Sequence, residues 1–319
     1  MTDFEQLHRY RSDTLRTDFS SAVPVNGYRW WYVDGISDDG DNGIVVIGFI
    51  GSVFSPYYYA ARQRGDADPL EHCAINVGLY RRRGGRWCMT ERSKRSVERD
   101  VEFFRVGRSR MMWSGDELVI DIDERASPFG QKVRGRVTVR PRFLNADGFY
   151  LEPNDCHRWR PVAPSSEIDV EMESPTLSWR GHGYFDTNSG SRALEEDFRG
   201  WSWTRREDRH HSEVTYSITL RDGTRRAASV RFSDSAPVEE VPLPDTVSLR
   251  PGLWRVRRDA CCGKTPRALR DLEDTPFYTR SILTDTAFEG DTMHEYLDLD
   301  RFQARWVRLL LPFRMPRIR

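Results

Sequence analysis

The sequence predicts an all-β protein made of antiparallel strands. Three observations carry that prediction. Short segments alternate between apolar and polar residues along most of the chain. Turns containing Gly and Asp separate them. Few segments have helical character. Strands at this spacing argue for barrels or sandwiches. With 319 residues, the chain is long enough for one large β domain or two smaller ones.

The elements follow in order. YRWWYV (28–33) and GIVVIGFIGSVF (43–54) are rich in β-branched and aromatic residues, and SDDGDNG between them predicts a hairpin. The second run is apolar on both parities, as in a central strand. SPYYYAARQRG (55–65) predicts a short helix after Pro56. In CAINVGLY, Cys73, Ile75, Val77 and Leu79 share one face. Leu118, Ile120 and Ile122 oppose Val119, Asp121 and Asp123. Val133, Val137 and Val139 oppose Lys132, Arg134, Arg136 and Arg140. Val214, Tyr216, Ile218 and Leu220 share a face, and Asp222-Gly223 signals the next hairpin. The expected organisation is a polar lead-in over 1–20, a β domain over 21–235 and a smaller β domain over 236–319 packed against the first. The Pro-rich, acidic segment 233–245 is read as the linker.

Composition excludes several function classes. Acidic and basic residues balance at 49 each, so nothing favours nucleic acid. Arg81-Arg82-Arg83 reads as a solvated turn. Five cysteines, two of them adjacent, show no metal-type spacing and read as reduced thiols. No G-x-S-x-G elbow, P-loop, H-E-x-x-H or G-x-G-x-x-G fingerprint is present. His210-His211 reads as a surface pair. The polar N-terminus is no signal peptide, and the apolar run from Ile44 to Phe54 is too short to cross a bilayer as a helix. A soluble protein, or one bound at a membrane surface, is expected. The chain holds ten Trp, twelve Tyr and sixteen Phe, which suits a β-rich core or a cavity for a long apolar ligand.

Side-chain chemistry concentrates in two segments. In WRGHGYFDTNSG (179–190), strand alternation puts Arg180, His182, Tyr184 and Asp186 on one face. In DCHRW (155–159), His157 and Trp159 share a face. Held against apolar rings, Asp186 would keep its proton above the usual carboxylate range and serve as a general acid. The bland alternatives are an Asp that caps a turn at DTNSG, a hydrogen-bonded structural histidine at His157 and a core Trp159.

At these residues the sequence resembles the acyclic carotenoid 1,2-hydratases, also called hydroxyneurosporene synthases. The stretches that carry the resemblance are GYRWWYVDGISDDG, FIGSVFSPYYYAAR, ADPLEHCAINVGLY, RWCMTERS, GHGYFDTNSG, ALEEDFRGWSWTR, DTPFYTRS and LPFRMPR. They run from about residue 27 to the C-terminus.

The resemblance implies a lipocalin-related antiparallel β-barrel or sandwich with a second, smaller β domain and few short helices. It implies hydration of the terminal C1=C2 bond of neurosporene or lycopene to the 1-hydroxy derivative, with no cofactor and no metal. The products belong to the spheroidene and spirilloxanthin pathways of phototrophic bacteria. Asp186 is then the proton donor. Trp159 and Tyr184 are the aromatic faces for a tertiary cation, and His157 orients or deprotonates the water. Trp179, Phe185, Trp203 and Tyr57 are expected to bind substrate. The family pattern G-x-G-Y-x-D-x-N-x-G leaves position 182 open, so His182 has little weight and Arg180 has no role. The expected partners are the carotenoid and water, with peripheral attachment to the cytoplasmic face of the inner, photosynthetic membrane. A polyene cyclase or isomerase on the same fold, and a carotenoid or lipid carrier, are the rival readings.

Overall fold

The computed structural model describes residues 4–82, 84–207, 211–284, 286–287 and 290–318. Arg83 and His210 lie outside the described residues. The protein is all-β with a few short helices. It divides into two compact units that interleave along the chain.

The larger unit comprises Tyr10–Gly148, Cys156–Ala193 and Leu309–Arg319. Its sheet runs, in spatial order, through Arg317–Ile318, Glu91–Arg92, Cys73–Arg81, Asn42–Ile50, Tyr28–Ser37, Thr176–Gly190, His157–Ser174, Gln131–Pro141, Glu117–Ala126, Ser109–Ser114, Phe103–Val106 and Val97–Arg99. Residues from both ends of that order enter one core cluster: Ile75, Leu79 and Cys88 meet Phe104, Met111 and Ile120. The sheet therefore curls around its own apolar face. The alternation explains why. Val133, Val137 and Val139 enter this core, while Arg134 and Arg136 stay outside. Outside, Arg110 and Arg136 both reach Asp121, at 2.8 and 2.7 Å. The arginine-rich parity is thus a solvated ladder of cross-strand ion pairs.

The expected hairpin joins Tyr28–Ser37 to Asn42–Ile50, with Gly40 supplying the positive φ that its turn requires. The expected helix is Pro56–Arg62. Ser55 caps it by accepting from the Tyr57 and Tyr58 amides. The lead-in is less polar in role than in composition. Phe19 is fully buried in the core, and Thr17 Oγ1 accepts from Trp31 Nε1 at 2.9 Å. DTNSG is no turn: it completes the strand Thr176–Gly190. Arg81 and Arg82 are exposed, as a solvated turn requires.

The smaller unit comprises the described residues of Met1–Arg9, Phe149–Asp155 and Leu194–Arg308. Its main sheet runs through Glu5–Gln6, Arg225–Phe232, Ser212–Leu220, Phe198–Glu207, Thr292–Asp298, Tyr278–Thr284 and Ala268–Asp274. Segment 233–245 lies inside this unit, where Glu239–Glu240 pairs with Arg225–Phe232.

His294 is the most perturbed histidine among the described residues of this unit. Its Nε2 donates to the Asp259 carbonyl at 3.0 Å, and its Nδ1 is buried without a partner among the described residues. Burial lowers it from 6.5 to about 4. A histidine held neutral contributes stability above its unfolded value and loses it as pH falls through the folded one. That loss is worth about 3 kcal/mol between pH 6.5 and 4. Urea denaturation across this pH range is expected to show it in the wild type, and to show it largely removed in His294→Gln.

Candidate active site

Thr176–Gly190 lies between Tyr28–Ser37 and His157–Ser174. Directly opposed residues in antiparallel strands share a face, so the register lays out the site. Tyr184 opposes Asp34. Asp186 opposes Tyr32 on one side and Pro161 on the other. Asn188 opposes Trp30 and Trp159. Gly190 opposes Tyr28 and His157. These residues face away from the core cluster that contains Trp31, Val33 and Phe185. All of them are nonetheless buried.

Asp186 is the centre of this face. Its side chain is 4% exposed. Trp159 Nε1 and the Tyr184 hydroxyl both donate to its Oδ2 at 2.9 Å. Burial first, then the neighbouring Asp186 carboxylate, push the Tyr184 phenol well above its ordinary value; Asp34 adds in the same direction. Tyr184 therefore stays a donor throughout the neutral range. Four residues further along, His157 Nδ1 and the Tyr28 hydroxyl are 2.9 Å apart. Tyr28 stacks on Trp30 with centroids at 4.9 Å, and Tyr32 meets Tyr184 edge-on at 6.2 Å. The result is a row of rings with a carboxyl in its middle and an imidazole at one end.

Asp34 is a second buried carboxyl, at the other end of the row. Asn188 lies between acid and imidazole, with its Nδ2 buried and without a partner among the described residues. Neither Asp34 nor Asn188 received a role from the sequence. The signal for Asp34 was present, since Tyr28, Trp30, Tyr32 and Asp34 stand two apart just as Tyr184 and Asp186 do. What was missing was the pairing of the two segments.

The structure separates the other expected site residues. The row Arg180, His182, Tyr184, Asp186 runs from solvent to interior. Arg180 is exposed and pairs with Asp169 at 3.0 Å, and His182 lies exposed 3.7 Å from Asp38. Phe185 points into the core, where it meets Trp113 edge-on at 6.0 Å, and Trp179 packs on the same core. Tyr57 sits on the helix Pro56–Arg62, with the Arg317 guanidinium 5.9 Å from its ring centroid. Trp203 belongs to the smaller unit, on Phe198–Glu207 opposite Tyr216 and Glu295. Among the described residues no group of His, Cys, Asp and Glu could hold a metal ion.

The sequence model of the family described as Carotenoid hydratase CrtC matches residues 46–319. The chain belongs to the carotenoid hydratase family. It is 45% identical over 306 residues to the acyclic carotenoid 1,2-hydratase of Thiocapsa roseopersicina, covering 94% of this chain and 75% of that one. It is 39% identical over 279 residues to the enzyme of the same name from Rhodobacter capsulatus, covering 85% and 97%. A crystal structure from Nitrosomonas europaea, described as AttH, superposes with a TM-score of 0.56 at 13% identity, over 84% of this chain and 91% of that one. That likeness concerns the fold alone.

Gly190 makes the imidazole end of the row possible. A Cβ there would stand 2.4 Å from Tyr28 Cε1 and 2.6 Å from His157 Nδ1. Gly190→Ala must push both rings aside. Misplacement of this order costs roughly 10²-fold in rate. Turnover measured beside near-ultraviolet circular dichroism should show that loss in a protein that still folds.

Proposed function

We propose that the chain adds water across the terminal C1=C2 bond of an acyclic carotenoid, with Asp186 as the proton donor. One observation carries this reading: in a carotenoid hydratase, a buried carboxyl has its Oδ2 held by Trp159 and Tyr184. With both donors on Oδ2, the transferable proton sits on Oδ1. When it leaves, the same two bonds stabilise the new carboxylate. Protonation of C2 places a tertiary cation on C1. Trp159 and Trp30 stand next along the face, and aromatic faces stabilise such a cation by roughly 0.5–2 kcal/mol each. His157 takes the proton from the attacking water, whose oxygen bonds to C1.

The spacing supports that division of labour. His157 stands four residues from Asp186 along the strands, about 13 Å at the backbone. An acid, an alkene, a water and a base in line span roughly 10 Å between functional atoms. Modest leaning of the two side chains closes the difference. Asn188 lies in that interval, and its buried Nδ2 suits the water oxygen. Phe185 and Trp179 act from the core side by packing the strand that carries the acid.

Purified protein is expected to convert lycopene or neurosporene to a product heavier by one water. Asp186→Asn should lose roughly 10²–10⁴-fold in turnover and keep carotenoid binding. An isomer of unchanged mass would instead indicate a cyclase or isomerase. Binding without turnover, insensitive to Asp186→Asn, would indicate a carrier.

Asp34 sets the charge state of the acid. Two carboxyls on neighbouring rungs of a buried face do not both ionise cheaply. In this reading a charge on Asp34 would disfavour one on Asp186. The ionisable groups on this face are Tyr28, Tyr32 and Asp34 from one neighbouring strand, His157 from the other, and Tyr184 from the same strand. Activity falls as pH rises and the acid loses its proton. Asp34→Asn removes the repulsion, so that fall is expected at lower pH than in the wild type. An alkaline limb that does not move would sink this role.

The substrate class dissolves in bilayers. Among the described residues no helix is long and apolar enough to cross a membrane. Peripheral attachment at the cytoplasmic face of the inner membrane is therefore part of this reading.

A further inference from the structure

The helix Arg305–Arg314 reads RWVRLLLPFR and carries more apolar surface than its packing uses. Successive helical residues turn by about 100°. Val307 and Leu311 fall on one side and are buried, and Met315 continues that stripe just beyond the helix. Trp306, Leu309, Leu310 and Phe313 form a second stripe, in an arc roughly 100° wide. That stripe is exposed: Trp306 by 47%, Leu309 by 73% and Phe313 by 77%. A helix that only closed a fold would be polar there.

Charge says what covers the stripe. The helix holds three arginines and no acidic residue. Arg305 and Arg314 border the apolar arc on its two sides. Arg314 lies over the Trp87 ring at 4.4 Å. At the start of the stripe, Trp306 stacks with Trp254 at 6.1 Å, and the Arg301 guanidinium lies 5.9 Å from the Trp306 ring. Arg301 also donates to the carbonyls of Trp254 and Arg255, which ties that loop to the helix. An apolar arc edged by arginines and opened by a tryptophan pair has the chemistry of an element lying in a bilayer interface.

We propose that this helix face docks the protein on an anionic lipid bilayer, with the arginines among the headgroups and Leu309 and Phe313 among the upper acyl chains. The inference names the docking surface for the membrane attachment in the reading above, and so rests on that reading for its biological purpose. Its physical basis is the helix together with the Trp254 loop that Arg301 ties to it. A second protein copy would cover the apolar arc equally well, but it would bring the same arginines against each other.

The test compares the full chain with the variant carrying Leu309→Asp and Phe313→Asp. Both residues are exposed, so the variant should fold, which its melting curve checks. Sedimentation uses vesicles of phosphatidylcholine with phosphatidylglycerol, and of phosphatidylcholine alone. The wild type is expected to bind the anionic vesicles, more weakly at high salt. The double variant should lose that binding by roughly tenfold or more and still hydrate detergent-dispersed carotenoid at the wild-type rate. Arg305→Glu should weaken binding to the anionic vesicles only. Undiminished vesicle binding by the double variant overturns the proposal, as does a wild type that binds no vesicles. An oligomer that the double variant dissolves, with vesicle binding intact, assigns the face to a second copy and overturns it too. A wild type that binds vesicles through this helix yet hydrates no carotenoid supports the docking surface and refutes the reading of function.

Discussion

The pair of hydrogen bonds on Asp186 Oδ2 is the constraint around which the site is arranged. A carboxyl taken out of water costs several kcal/mol unless it is neutral or well solvated by protein donors. Trp159 and Tyr184 supply those donors from two adjacent strands. Neither can move without loosening the other. The strand that carries Tyr184 and Asp186 must also stay in register, because a slip of one residue would send Asp186 into the apolar core and Phe185 out of it. The proposed chemistry is thus tied to the pairing of His157–Ser174, Thr176–Gly190 and Tyr28–Ser37.

Glycines make that close pairing possible. A Cβ at Gly181 would stand 1.9 Å from the Ile36 carbonyl oxygen, so the strand carrying the acid could not approach its neighbour there. The same economy appears at Gly190, where the absent side chain leaves room for two rings. The stretch GHGYFDTNSG (181–190) therefore combines two kinds of position. The Tyr, Asp and Asn face the site, while the glycines let strands and rings come close. His182, on the same face as Tyr184 and Asp186, has already reached solvent.

Two faces of one sheet carry different tasks. The inner face is a conventional apolar core of Val, Ile and aromatic residues. The opposite face is ordinary near Arg180 and His182, where arginines pair with acids in water. Further along the same strands it becomes buried and carries Asp34, Asp186, Asn188 and His157. Burial, not residue type, sets that part of the polar stripe apart, because removing water strengthens every charge and hydrogen bond left there.

The sequence by itself determined the all-β class, the parity of each strand, the hairpin after Tyr28–Ser37, the capped helix at Pro56 and the grouping of Tyr184 with Asp186 and of His157 with Trp159. These follow from local sterics and from a side-chain period of two, which need no long-range information. Local pattern misled at DTNSG, where turn-forming residues complete a strand because both flanking strands pair with it. It also misled at Phe19, whose polar surroundings in sequence hide a core position. Only the tertiary structure decided which strands lie beside Thr176–Gly190. That choice brought Tyr28, Trp30, Tyr32 and Asp34 to the site and sent Trp179 and Phe185 to the core. Tyr28–Ser37 stands more than a hundred residues before Thr176–Gly190 in the chain, and no short-range periodicity encodes which of several similar strands it will meet.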